Sequence, residues 1–322
     1  MNKMNIIDMH CDTLLEMHTK GRGLRELDGH INLDKLRCGG SLLQCFAVYT
    51  PTHGEAESCR ITSGPWEYFN AAADIFEREM EANREYIRPV RSMAEIRANA
   101  GAGIISAMLT LEDGVCIDGR HERVQRLYDR GVRMIALTWN YENSIGYPNS
   151  FDPEAHAMGL KPFGAETVEQ MKRLGMIVDV SHLSEGGFRD VADILKGPFV
   201  ASHSCARALC DHSRNLTDEQ LRTLGDCGGV CGVNFLSRFL VRDTAYTRID
   251  DILRHMEHIA DKAGTEAVAL GSDFDGIDCG LELGDFAGMT RLTEEIAARF
   301  GSDRADKICH GNALRVMGEF IG

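Results

Sequence analysis

The chain has 322 residues, 43% hydrophobic and 26% charged, with a formal net charge of −14 and a pI near 5.3. That is ordinary globular composition, long enough to bury a full core. With no basic stripe, it argues against nucleic acid and anionic membrane surfaces as partners, and no apolar run approaches the ~18–20 residues that span a bilayer.

Eight short apolar runs are expected to be strands: 4–9, 41–49, 104–111, 132–138, 175–180, 198–202, 229–235 and 267–272. Apolar on both faces, they suit parallel strands covered by helices. Helical segments are expected between and after them, at 66–84, 92–100, 119–130, 164–173, 185–195, 217–225, 250–263 and 290–300. Thr217-Asp218-Glu219-Gln220 reads as a capping box, and Gly131, Gly175 and Gly264 sit where helix C-caps would fall. Strand–helix alternation repeated eight times predicts a (β/α)8 barrel, a TIM-like α/β fold, in one domain over residues 1–322. An open doubly wound sheet is the alternative, but no GxGxxG follows a strand to support it. The polar segments 50–65 and 140–163 are long enough to be lids or binding loops.

Eleven cysteines occur without a CxxC, the nearest pairs being Cys205/Cys210 and Cys227/Cys231. The odd count and irregular spacing predict reduced thiols. No charged and then apolar leader precedes the first strand, and no apolar tail follows Gly322. A cytoplasmic location is therefore expected.

The chemistry begins at His10-Cys11-Asp12. In extended chain, residues i and i+2 share a face, so an imidazole and a carboxylate project together where a strand meets its loop. Alone this is a weak signal: a strand-end His is more often a satisfied structural residue, and a strand-end Asp often only caps a helix. The strength lies in coincidence. Glu112 follows the third predicted strand, His182 the fifth, His203 the sixth and Asp273 the eighth. In a barrel the C-terminal strand ends converge on one mouth, where active sites of this fold sit. Imidazole and carboxylate donors suit a divalent metal such as zinc. A carboxylate can give one oxygen to each of two metals, and such a pair supplies hydroxide near neutral pH while polarising a carbonyl. A further carboxylate can then carry the proton to the leaving group.

At this point the chain resembles the membrane (renal) dipeptidase family of metallopeptidases. The matching stretches run in family order along nearly the whole chain: Asp8 to Asp12, Leu33 to Gly40 with Gln44-Cys45-Phe46, Leu111 to Gly114, Asp179 to His182, Ser202 to Ser204, His212 to Leu216, Gly271 to Gly276, and Gly311 to Val316. The resemblance implies two zinc ions per chain, with His10 and Asp12 on the first, His182 and His203 on the second, and Glu112 bridging both. It implies Asp273 as the acid/base that handles the water's proton. It makes Arg214 the ligand of the substrate's C-terminal carboxylate, a role that a guanidinium fork suits; without it, Arg214 would read as a surface arginine pairing near the next helix.

One departure stands out. Relatives closest to the animal enzymes carry Leu-Thr-His after the fourth strand, where this chain has Leu137-Thr138-Trp139. An oxyanion stabiliser is then missing or replaced by Asn140 or Tyr141, and Trp139 becomes a pocket wall or core aromatic.

The leading expectation is a dinuclear zinc dipeptidase acting on a small dipeptide, with a D-residue tolerated at the C-terminal side. A hydrolase of N-acyl amino acids, lactones or lactams would use the same ligand set. A catalytically silent binding protein is the third reading, disfavoured because every proposed ligand is present. A homo-oligomer fits the resemblance, though no isolated sequence feature demonstrates one.

Overall fold

The computed structural model describes residues 4–322. Eight parallel strands close into a barrel: β1 (Ile6–Asp8), β2 (Ser41–Tyr49), β3 (Ile105–Glu112), β4 (Val132–Ala136), β5 (Ile177–Asp179), β6 (Val200–Ser204), β7 (Val230–Val233) and β8 (Val268–Leu270). The longest seam pairs β2 with β3, Leu43 with Ser106 through Tyr49 with Glu112. Closure is made by Asp8 of β1 opposite Leu270 of β8. A short strand, Ile87–Pro89, lies along the start of β3 on the side that β4 takes further up. The (β/α)8 expectation therefore holds, and each predicted run contains its observed strand to within one residue except the sixth, which stops two residues before β6 ends.

The period-two pattern divides the strands between two apolar layers. Ile7, Leu43, Cys45, Met108, Met134, Ile177, Val200, Val230 and Ala269 fill the lumen. Ile6, Phe46, Val48, Leu109, Leu111, Val178, Cys231 and Leu270 face the helices. The floor of the lumen is plugged by a helix absent from the sequence reading, Asn312–Phe320, which contributes Ala313, Val316 and Met317. Asn312 fastens it, its amide donating to the carbonyls of Thr265 and Val268 at 2.8 Å each.

All eight expected helices form, shifted at their ends by at most two residues. The capping box is present: Thr217 Oγ1 accepts from Gln220 N, and Gln220 Oε1 accepts from Thr217 N. Gly131 and Gly175 are left-handed C-caps, whereas Gly264 has φ 88° and ψ 153°, so it ends its helix in an extended turn instead. The helix Thr13–Lys20 also escaped the sequence reading. Its N-cap, Asp12, makes no side-chain cap; its start is set by Asp12 N–H donating to Phe274 O, a contact between chain ends.

Two glycines let the rim strands approach one another. A Cβ on Gly232 would stand 2.1 Å from Ser202 O, and one on Gly271 only 1.8 Å from the same atom and 3.1 Å from His203 Cα. Gly271→Ala must push on the backbone that carries His203, so it should lower unfolding free energy by about 1–3 kcal/mol; an unchanged urea midpoint would refute this packing account.

His255 supplies a pH dependence. Fully buried, it accepts from Ala206 N–H at Nδ1 and faces Leu240 O through Nε2 at 2.9 Å. Only the neutral Nε2–H tautomer satisfies both contacts, and burial pushes its pKa down to about 4. A histidine depressed in the folded state contributes fully above its unfolded value near 6.5 and loses that contribution as pH falls toward 4. In chelator, wild type should therefore lose more stability between pH 7 and pH 5 than His255→Gln; equal losses would remove His255 from the account.

Candidate active site

The predicted ligands meet at the C-terminal rim. His10 and Asp12 follow β1, Glu112 ends β3, His182 follows β5, His203 lies in β6 and Asp273 follows β8. Glu112 sits at the centre with its oxygens divided. Oε2 is 3.5 Å from His10 Nε2, whereas Oε1 is 3.0 Å from His182 Nε2 and 3.4 Å from His203 Nε2. His10 Nε2 also lies 3.5 Å from Asp12 Oδ2 and 3.9 Å from Asp273 Oδ1. His182 and His203 bring their Nε2 atoms to 3.1 Å, and the His10 and His203 rings stack at 3.8 Å. All but Asp273 are under a tenth exposed.

The partners of these histidines decide where their lone pairs point. Ser202 Oγ–H donates to Asp179 Oδ2, so the 2.7 Å contact between Ser202 Oγ and His203 Nδ1 requires a proton on Nδ1. Asn140 Oδ1 lies 3.1 Å from His182 Nδ1 and again calls for N–H there. Both imidazoles then present bare Nε2 lone pairs to each other and to Glu112 Oε1. Lone pairs converging at 3.0–3.4 Å repel unless a cation lies between them. Two donors on a tetrahedral zinc at about 2.0–2.2 Å each stand roughly 3.3–3.6 Å apart, close to the spacing seen here. His10 Nε2 and Asp12 Oδ1 are buried with no hydrogen-bond partner, as atoms reserved for a metal would be. The donor set fits a divalent cation on both sides of Glu112.

The electrostatics agree. Burial, reinforced by the Arg214 charge, holds His182 down near 3 and His203 well below the ordinary histidine range, the neutral form that a metal needs. His10 goes the other way: burial opposes protonation, but Glu112 and Asp12 outweigh it and raise its pKa well above the ordinary value. Without a metal, a proton on His10 would offset the neighbouring carboxylates; a bound cation would displace it and take the freed lone pair. Burial and then Glu112 push Asp12 well up. Burial raises Asp273 too.

Residues just before the ligands hold them. Asp179 accepts from Ser181 N and Ser202 N at 2.9 Å each. Asp8 repeats the device across the barrel, accepting from Ser272 N and Oγ and from Gln44 Nε2. Neither aspartate was singled out from sequence as a site residue; the available signal was a carboxylate two residues before His10 and three before His182. His182 and Asp273 adopt φ of 68° and 62°, a left-handed backbone that non-glycine residues accept only when their surroundings enforce it.

The cluster floors a cavity of about 400 Å³. Leu15, Tyr49 and Trp139 line one flank; His212, Arg214 and Phe239 line the other. Trp139 is a wall, its ring 4.9 Å from Tyr49 and 6.1 Å from His182. Asn140 lines the cavity and orients His182. Tyr141 does not line it; it stacks on His53 at 4.1 Å. Of the two long loops, 140–163 contributes Asn140 and Asn149 to the lining, and 50–65 contributes nothing. Arg214 is buried, with Nη1 donating to Ser204 Oγ and Nη2 to His203 O, while Nε has no partner. Among the described residues no carboxylate lies within salt-bridge distance of it. No described helix is long and apolar enough to cross a membrane.

Comparison with known proteins agrees with this geometry. The family model described as Membrane dipeptidase (Peptidase family M19) matches residues 1–320. A Klebsiella pneumoniae protein described only as uncharacterised, in the pqqA 5′ region, is 39% identical over 242 residues, 72% of this chain and 88% of that protein. The Aspergillus oryzae dipeptidase aclJ is 31% identical over 305 residues, 91% of this chain and 71% of that protein. Among solved structures, a metallo peptidase called dipeptidase AC superposes with a TM-score of 0.89 at 28% identity, covering 100% of both chains. A Rhodobacter sphaeroides metallo peptidase, liganded with a phosphinate mimic of the dipeptide L-Ala-D-Ala, gives 0.91 at 26% identity, over 99% of this chain and 100% of that one. With whole-chain matches in sequence and fold, the chain belongs to the membrane dipeptidase family, peptidase family M19, and is a hydrolase of the metallo-dipeptidase class.

Proposed function

We propose that this protein is a dinuclear zinc dipeptidase that hydrolyses L-Xaa-L-Xaa and L-Xaa-D-Xaa dipeptides. The observation that carries the reading is the division of Glu112, one oxygen toward His10 and the other toward His182 and His203. His10 and Asp12 would hold one ion, His182 and His203 the other, and Glu112 both. Zinc bound there supplies Lewis acidity toward the peptide carbonyl and lowers the pKa of water to near neutrality. The Rhodobacter sphaeroides neighbour, whose ligand mimics a dipeptide ending in a D-residue, supports the stereochemical part.

The remaining work falls to the chain's own groups. Asp273 Oδ2 is held by Asn234 Nδ2 at 2.8 Å, which leaves Oδ1 turned toward the cluster. Oδ1 takes a proton from the attacking water and returns it to the departing amine. Its upward shift through burial suits a group that must hold a proton briefly near neutral pH. Arg214 receives the C-terminal carboxylate. A buried guanidinium without a carboxylate partner is costly unless a ligand supplies the anion, and its two protein hydrogen bonds fix its orientation beforehand. Trp139, Tyr49 and Leu15 shelter a side chain on the other flank. A cavity of about 400 Å³, at the small end of ligand pockets, suits two residues better than three.

The direct test is amino-acid release from L–L and L–D dipeptides by zinc-loaded protein, with tripeptides and terminally blocked dipeptides as controls. Chelator-sensitive release from free dipeptides alone is expected. No release from protein shown by metal analysis to hold two ions would overturn the reading and turn attention to N-acyl amino acids, lactones and lactams. Two substitutions separate the roles. Asp273→Asn should lower kcat by about 10²–10⁴ with metal content retained. Arg214→Ala should act mainly on KM, weakening kcat/KM about 10–100-fold through loss of charge-assisted hydrogen bonds. Unchanged kinetics in either variant would remove that residue from the mechanism.

A further inference from the structure

The cavity holds more positive charge at one end than a single carboxylate requires. Besides Arg214, it is lined by Arg238, which lies on the short helix Ser237–Leu240 that follows β7. The two guanidinium carbons sit 5.8 and 6.0 Å from the centroid of the same ring, Phe239, so both cations share one wall. Arg214 is buried and anchored, whereas the Arg238 side chain is 61% exposed and its nearest carboxylate, Asp278 at 3.8 Å, is 78% exposed. That contact is a long, solvated ion pair of little energy, so Arg238 can turn to another anion at small cost. His212 adds no charge between them: its Nδ1 accepts from Arg214 N–H, and burial with the two nearby arginines holds its pKa down near 4. Asp12, Glu112 and Asp273 also line the cavity, with Leu15, Tyr49 and Trp139. The cavity thus presents two separate guanidinium groups where the C-terminal half of a dipeptide would lie.

We propose that Arg238 is a specificity-determining residue that receives a side-chain carboxylate, so that the preferred substrates are dipeptides whose C-terminal residue is aspartate or glutamate. This rests on the reading of Arg214 as the anchor for the main-chain carboxylate. With that group fixed on Arg214, the C-terminal side chain is held on the Phe239 wall within reach of the long, mobile Arg238 side chain. A neutral side chain there leaves Arg238 in solvent, whereas an acidic one gains a charge-assisted hydrogen bond. Partial exposure limits the gain, so a roughly tenfold preference is expected, equivalent to about 1.4 kcal/mol of transition-state binding.

The test uses zinc-loaded protein and isosteric pairs: Ala-Asp against Ala-Asn and Ala-Glu against Ala-Gln, each with the C-terminal residue as L and as D. The readout is the ratio of kcat/KM within a pair, which general damage to the fold would not change. Wild type should favour the acidic member roughly tenfold, with the ratio narrowing as salt is raised. Arg238→Met should bring the ratio to about one, Arg238→Lys should keep part of it, and Arg238→Glu should reverse it and favour Ala-Lys. A wild-type ratio near one, or a ratio that survives Arg238→Met, overturns the proposal while leaving the dipeptidase reading intact. Failure to cleave any dipeptide, Ala-Ala included, overturns both.

Discussion

Everything at the rim depends on one electrostatic problem. Three imidazoles and three carboxylates are packed together where the strands end, with lone pairs from His182, His203 and Glu112 pointing at one another across 3.0–3.4 Å. These atoms are mostly buried, with little water to relieve the repulsion, so positive charge at the centre stabilises the arrangement. Without a metal, a proton on His10 supplies part of it; metal ions held between the donors would replace that proton and supply more. Glu112 belongs at the hinge of this arrangement because a carboxylate alone offers two equivalent oxygens to two neighbouring cations.

The surrounding structure follows from having to hold those donors still. Asp8 with Ser272 and Asp179 with Ser202 form matching supports on opposite sides of the barrel; the first joins residues 264 apart in the chain, the second two consecutive strands. The Asp179–Ser202–His203 chain also fixes a tautomer, which places the lone pair where a metal needs it. Gly232 and Gly271 are small for the same reason, since the strand carrying Ser202 and His203 passes within about 2 Å of where their Cβ atoms would be. The left-handed backbones of His182 and Asp273 are local strain sustained by a barrel that is rigid on all sides.

Trp139 has a clear place in this structure. Trp139 walls the cavity beside Tyr49, and Tyr141 stacks on His53 outside the lining. Asn140 is drawn instead into orienting His182. The indole at position 139 thus shapes the space open to a substrate side chain beside the candidate metal ligands.

By itself the sequence determined the barrel and placed its candidate ligand residues at the rim. Buried parallel strands must be apolar on both faces, and a donor residue after such a run can only emerge at the rim, so eight runs and their trailing His, Asp and Glu residues were readable without coordinates. The resemblance added roles to Arg214 and Asp273 that spacing could not supply. Tertiary structure alone decided the rest. The plug Asn312–Phe320 is recognisable only from the lumen it fills, and the start of Thr13–Lys20 is set by Asp12 N–H donating to Phe274 O, some 260 residues away. The supports Asp8 and Asp179, the different fates of Trp139, Asn140 and Tyr141, and the pairing of Arg214 with Arg238 around Phe239 likewise arise between residues remote in the chain. Distances between side chains on different strands are properties of the closed barrel, and no local pattern encodes them.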